Sequence, residues 1–422
     1  MPLHDLARRM TAAALAAVNP ERLAREELAR RGERFGAAVA IGKAAAALAR
    51  GARRALEPAA PRLLIRPHDT PGLLDPGWEQ MTGGHPLPDR RSAAAGERLE
   101  RWLAEIAPRP LLALISGGAS ACVEASAADL TLEDLAATQR ALLASGLPIQ
   151  TVNAVRKHLS RLKGGGALRA LPAITGRLPH VLALLLSDVP GDDPAAIASG
   201  PFAADPTTYA EALAAVEGLD VPEAVRRHLA AGARGERPET LKADPPEVET
   251  VLLASVKTAM AAAVSLARRQ GFHTVEGELE GEAVRAAREL IERGRALEGA
   301  AIALVLGGET TVTLRGAFQG EAGCGGRNQE LALAAARTLA GGGGELVFTL
   351  ATDGQDGPTR SAGATVDGNT WEAIRRAGID PQAALARHDS RTALAAVPGA
   401  LLETGPTGTN VGDLAVYLRT SM

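Results

Sequence analysis

Four loops in this chain place small backbone donors and acids directly after greasy runs, a combination that handles phosphate. Ser116, Gly117, Gly118, Ala119 and Ser120 follow "LLALI", and "SDVPGDD", carrying Asp188, Asp192 and Asp193, follows "VLALLL". "GGETT" follows "AIALVL", and "ATDGQDG", carrying Asp353 and Asp356, follows "LVFTL". Glycine lets backbone N–H groups approach an anion closely. Grouped carboxylates can hold Mg2+ through one or two oxygens plus waters, or accept a proton. The competing reading for an Asp beside Gly is a plain Asx turn. None of the four loops contains an aromatic residue, so a charged ligand suits them better than a flat apolar one.

Cations complete the set. Only five of the 46 basic residues are lysine, so each lysine is a candidate for a place that needs a compact ammonium. Lys43 follows Gly42 at the end of another apolar run and can neutralise phosphate oxygens there. Arg327 opens a helical stretch behind three glycines in "GCGGRNQELALAAA", where it can fork onto a carboxylate or phosphate. "TGPTGTNVGDL", with Thr407 and Asn410, is denser in turn formers than one turn requires. Several common sites are excluded. Neither a Walker A loop nor a G-x-G-x-x-G is present. The eight histidines show no zinc spacing, and G-x-S-x-G is absent.

Short apolar runs bounded by turn residues read as strands buried on both faces, which belong to parallel sheets. Ligands of such sheets bind past the strands' carboxyl ends. The chain alternates strands and helices in both halves, an α/β class. At 422 residues it exceeds one hydrophobic core, so two domains are expected. The charged, Gly- and Pro-rich stretch from Ala230 to Thr250 sets the boundary: residues 1–238, then 239–422. Pro67 to Pro88 reads as loop. Thr131 reads as a helix N-cap, and "TVNAVRKHLSRLKGG" as a helix stopped by Gly164. "TTVTL", beyond Gly308, reads as a half-exposed strand or hairpin.

Composition narrows the partners. A net charge of −3 gives no basic field for nucleic acid. No run approaches the roughly 20 apolar residues of a membrane helix. Two cysteines make no disulfide framework, and no signal peptide is evident, so a reducing cytoplasm is expected.

"LISGGASA", "TVNAVRKHLSRLKGG", "LLLSDVPGDDPAAIASGP", "GGETTVTLRG", "GGRNQELALAAA", "ATDGQDGPTRSAGATVDG" and "TGPTGTNVGDL" together resemble the type-2 glycerate kinases, the proteins with a C-terminal MOFRL domain, often called hydroxypyruvate reductases. The likeness runs from about Leu6 to Leu414. It implies a Rossmann-like N-terminal domain with a largely parallel sheet and a smaller α/β domain, with MOFRL at about 300–414. It also implies a site in the cleft between the domains. The implied activity is ATP- and Mg2+-dependent phosphorylation of D-glycerate to 2-phosphoglycerate. NAD(P)H-dependent hydroxypyruvate reduction is the alternative. A homodimer is compatible with it. The resemblance carries the active-site charges onto Lys43, Asp188 and Arg327. Ser116, Gly117, Gly118, Ser120 and Asn153 are assigned to the nucleotide phosphates. Asp192, Asp353, Asp356, Thr407 and Asn410 are assigned to the substrate or metal side. Asp188 is either the general base or a Mg2+ ligand. One departure is Val256, which stands where the family often has asparagine.

Overall fold

The computed structural model describes residues 2–106, 109–173, 176–314 and 323–420. The chain forms two compact units, Pro20–Leu253 and a second made of Met1–Asn19 with Ala254–Met422.

The first unit is built on strands β1 (Ala37–Ile41), β2 (Arg62–Pro67), β3 (Glu79–Gly83), β4 (Leu111–Ile115), β5 (Val181–Leu186) and β6 (Val248–Ala254). Their order is β3-β2-β1-β4-β5-β6, and the pairings from β3 through β5 are parallel. This is the Rossmann order, whose reversal between β1 and β4 makes the ligand crevice. Strands β1, β4 and β5 are buried along their whole length, as their unbroken apolar runs require. Leu99, Trp102 and Leu103 of the helix Arg90–Glu105 pack into that core with Val39, Ala113 and Leu185. Asp89 caps this helix, its carboxylate accepting from the Arg91 and Ser92 backbone N–H groups. A separate all-helical core joins Leu135 and Leu142 to Val155, Tyr209 and Val225.

Several boundaries differ from those read in the sequence. Strand β3 lies inside the segment expected to be loop. It is a sheet edge with an exposed first half, so it carries little apolar signal. The helix starting at Ile149 ends at His158, well before Gly164, because Ser160 turns into a bridge with Ser126. Strand β6 (Val248–Ala254) is the edge strand of the first sheet, although the linker before it reads as a domain boundary. Helix Leu3–Ala17 packs on helix Val256–Arg269 in the second unit.

The second sheet contains β7 (His273–Leu279), β8 (Ala301–Gly308), β9 (Glu345–Ala351), β10 (Gly363–Asp367), β11 (Leu401–Leu402) and β12 (Asp413–Thr420), in the order β11-β10-β9-β12-β8-β7. Here the expectation of a parallel sheet fails. Strand β12 inserts antiparallel between β8 and β9, so this sheet is mixed. The two greasy strands nonetheless run in the same direction, and their carboxyl ends share one edge. Asp413, the first residue of β12, pairs with Gly308 on one side and Ala351 on the other. Beyond Gly308 the expected half-exposed strand reduces to a single bridge between Thr311 and Glu282. Arg315 and Gly316, at the end of that motif, lie outside the described residues.

Candidate active site

Two constellations carry the predicted residues, one in each unit. In the first, Ile41, Ile115 and Leu185 lie side by side in register, so the loops after β1, β4 and β5 leave the sheet at one level. Gly42 turns the chain with φ 113°, and a Cβ there would lie 2.4 Å from the Ser116 carbonyl oxygen, so only glycine fits. The Lys43 backbone N–H donates to Gly117 O at 2.9 Å, and Ala44 N–H donates to Ser116 Oγ at 3.0 Å. Ser116 is fully buried, and its hydroxyl locks the Lys43 turn to the β4 loop. Gly118 adopts φ 83°, and a Cβ on it would come within 3.1 Å of the Lys43 side chain. Lys43 therefore stands over the Gly117-Gly118 backbone at the switch point between β1 and β4.

Asp188 follows β5 on the same edge and is half-buried. Asp192 sits farther along, at φ 59°. Asp193 accepts from Ala195 N–H at 2.9 Å, the Asx turn that was the plainer reading of this loop. Farther on, Ala198, Ser199 and Gly200 are left-handed in succession, at φ 56°, 59° and 61°. Such backbone persists only where its surroundings enforce it. Gly164 N–H and Gly165 N–H bond Ser199 O and Gly200 O, which pins the segment. The result presents Ser199 Oγ to Ser120 Oγ at 2.9 Å and to Asn153 Oδ1 at 3.1 Å. Asn153 is buried and also bonds Ala196 O and Arg156.

The second constellation surrounds Arg327, the first residue of helix Arg327–Leu339. Its Nε donates to Asp413 Oδ2 at 2.6 Å, and its Nη1 pairs with Glu309. Desolvation works to lower the Arg327 pKa, but the Asp413 and Glu309 carboxylates outweigh it and raise the pKa. Asp356 caps the same helix, accepting from Asn328 N–H at 3.0 Å and Gln329 N–H at 2.7 Å. A Cβ on Gly326 would fall 2.3 Å from the Asp356 carboxylate, so the glycine is what admits this cap. Burial pushes the Asp356 and Asp413 carboxyls up to about 6 each.

Asp353 accepts from Gln355 N–H at 3.0 Å, again an Asx turn. Thr407 Oγ1 donates to Thr352 O at 2.5 Å, tying the loop that holds half-buried Asn410 to the end of β9. Val256 starts its helix against glycines: a Cβ on Gly307 would lie 2.8 Å from Val256 Cγ2. Apolar packing thus occupies the place of a polar contact. Glu309 and Asp413 were not singled out in the sequence. Their signal was an acid adjoining the glycine of a strand end, in motifs otherwise noted for Gly and Thr.

The buried Asp356 gives a pH signature. Its folded pKa lies above its unfolded one, so the folded protein holds the proton more tightly. This group's contribution to stability is therefore lost as pH rises from about 4 to about 6, over a span of about 3 kcal/mol. Asp356→Asn lacks that titration. The stability of wild type minus that of the variant, from urea unfolding, should fall by most of this amount, about 2 kcal/mol or more, between pH 4 and pH 7; a flat difference would refute the assignment.

Among the described residues no helix is long and apolar enough to cross a membrane. Residues 6–230 match the family described as a domain of unknown function, DUF4147, and residues 302–413 match the MOFRL family. The chain is 42% identical over 355 residues to a glycerate 2-kinase of Pyrococcus horikoshii, covering 81% of this chain and 78% of that one. It is 37% identical over 431 residues to a D-glycerate 2-kinase of Thermotoga maritima, covering 99% and 98%. A relative from Agrobacterium vitis, 43% identical over 81% of this chain and 77% of its own, carries a provisional hydroxypyruvate reductase name. The crystal structure of a glycerate kinase from Thermotoga maritima superposes with TM-score 0.83 at 36% identity, over 99% of both chains. The chain belongs to the glycerate 2-kinase family that joins a DUF4147 domain to a MOFRL domain.

Proposed function

We propose that this protein transfers the γ-phosphoryl group of ATP to the 2-hydroxyl of D-glycerate. The observation that carries the reading is the Gly42-Lys43 turn standing over Gly117 and Gly118 at the β1/β4 switch point. Phosphoryl transfer asks a protein for positioning and charge neutralisation rather than covalent chemistry. In this reading the Lys43 ammonium neutralises phosphate oxygens, while Ser116 and the two glycines hold the turn that aims it.

Asp188 either takes the proton of the attacking hydroxyl or holds a divalent cation. Among the described residues no three His, Cys, Asp or Glu side chains gather as a metal site. That fits Mg2+, which binds through one or two carboxylates plus substrate phosphates. When bound, the ion would neutralise charge building on the phosphoryl oxygens. Arg327, oriented by Asp413 and Glu309, would steady the transferring group, with Asp353, Asp356, Thr407 and Asn410 shaping its surroundings.

The reductase name of some relatives keeps a second reading in view, because a 3-2-1-4-5-6 sheet is also the dinucleotide-binding sheet. The loop after β1 is Gly42-Lys43-Ala44, however, without the glycine fingerprint that admits a pyrophosphate. Incubation with ATP, Mg2+ and D-glycerate should yield 2-phosphoglycerate. NADH with hydroxypyruvate should show no loss of nicotinamide absorbance. Sole formation of 3-phosphoglycerate would overturn the regiochemistry, and NADH oxidation without ATP turnover would overturn the reading altogether.

A further inference from the structure

A half-open cavity in the first unit lies beside the switch point and is lined by Ser120, Glu124, Gln139, Leu142, Arg156 and Lys163. Its apolar side comes from the small helical core, and its polar side comes from a row of hydrogen bonds. Arg156 Nε donates to Gln139 Oε1 at 2.7 Å, and its Nη1 reaches Asn153 Oδ1 at 3.3 Å. These bonds fix the plane of the guanidinium. Among the described residues Nη2 donates to no protein atom, and Arg156 forms no ion pair. Desolvation pulls the Arg156 pKa down, with only the more distant Glu124 opposing it. Glu124 itself is committed to Lys163 in a buried ion pair. Counting Arg156, Lys163 and Glu124, the cavity carries one excess positive charge. Holding a half-buried arginine with no ion pair of its own is costly, and an anionic ligand relieves the cost.

The direction of the hydrogen bonds says more. Asn153 Nδ2 donates to Ala196 O, so Oδ1 is the acceptor that receives Ser199 Oγ–H. With the Ser199 proton spent there, Ser120 must be the donor in the 2.9 Å contact between the two serines. The remaining capacity of Ser120 Oγ is therefore to accept. Glu124 Oε1 likewise has no hydrogen-bond donor among the described residues. The cavity thus offers a guanidinium N–H for a carboxylate and the Ser120 oxygen as an acceptor for a hydroxyl.

We infer that this cavity is the subsite for the acid substrate, with Arg156 gripping its carboxylate and Ser120 accepting from one of its hydroxyls. The inference rests on the glycerate kinase reading above and names the residues that select a hydroxy acid. Arg327 is less suited to that grip, because two carboxylates already engage it. Ser120, assigned above to the nucleotide phosphates, moves to the acid: a phosphate needs a donor, and the Ser120 proton is already used.

The test is steady-state kinetics of Arg156→Gln and Ser120→Ala, with folding checked by circular dichroism. Arg156→Gln should raise KM for D-glycerate about 10- to 100-fold, the size of one lost charge-assisted hydrogen bond, and leave KM for ATP within about two-fold. Ser120→Ala should raise the same KM about 5-fold. Arg156→Lys should recover part of the loss, since it restores charge but not the fork. Unchanged KM for D-glycerate in both variants overturns the subsite while leaving the kinase reading intact. A rise in KM for ATP instead would make the cavity a phosphate site and also overturn it. If Arg156→Gln does not fold, Ser120→Ala decides. If wild type does not phosphorylate D-glycerate, the kinase reading falls by itself. Calorimetric titration of wild type with D-glycerate and with the uncharged triol glycerol then judges the cavity: binding of the acid alone supports the subsite, and equal or no binding refutes it.

Discussion

Arg327→Ala should cost this protein both stability and turnover, and the stability loss should grow with pH. The substitution strands Asp413, which is 2% exposed and pinned between β8 and β9. Removing one partner of a buried pair typically costs about 3 kcal/mol or more, because the other charge stays buried alone. Burial already pushes the Asp413 carboxyl up to about 6 with the arginine in place. Without the arginine its carboxyl should hold the proton to higher pH. Near pH 5 the group is then largely neutral in both proteins and the deficit is small. By pH 8 wild type keeps a paired carboxylate, while the variant must bury an unpaired one or hold a proton against the solution. Urea unfolding at the two pH values checks this, and an equal deficit at both would rule the explanation out. Adding Asp413→Asn should recover much of the stability but none of the turnover, separating the structural role of Arg327 from its proposed catalytic one.

Lys43→Ala should do the reverse, leaving the fold and removing the reaction. The Lys43 backbone N–H on Gly117 O and the Ala44 N–H on the Ser116 hydroxyl hold the turn, and the substitution leaves both in place. Stability should change by no more than about 0.5–1 kcal/mol. Loss of one preorganised charge at a phosphoryl-transfer site should lower kcat by about 10²–10³. Lys43→Arg should rescue little, because a planar fork cannot replace a compact ammonium in so tight a turn. Turnover near wild type in either variant, measured by coupled ADP release, would remove Lys43 from the site.

Much of this candidate site is legible in the amino-acid sequence. The rarity of lysine points to Lys43, and glycine next to a strand end points to the turn that presents it. Asp356 stands out as an acid beside glycines. What it does, capping the helix that begins at Arg327, depends on a chain return that no local pattern encodes. Asp193 and Asp353 go the other way: both are Asx turns, the plainer of the two readings their loops allow. Arg156 is invisible in sequence, because among so many arginines nothing local marks one that lacks a carboxylate.

By itself the amino-acid sequence determined which segments are buried and where polar residues must gather. Burial and turn chemistry are local: an apolar run must leave water, and a glycine must take the bend that a side chain forbids. Which strand lies beside which was decided only in three dimensions. Ser116 meets Ala44 across 72 residues of chain, and β12 wedges Asp413 between two strands far before it in sequence. Those pairings follow from the packing of the whole core, where many small burial energies add up, and no short stretch of chain carries enough of them to fix its neighbour.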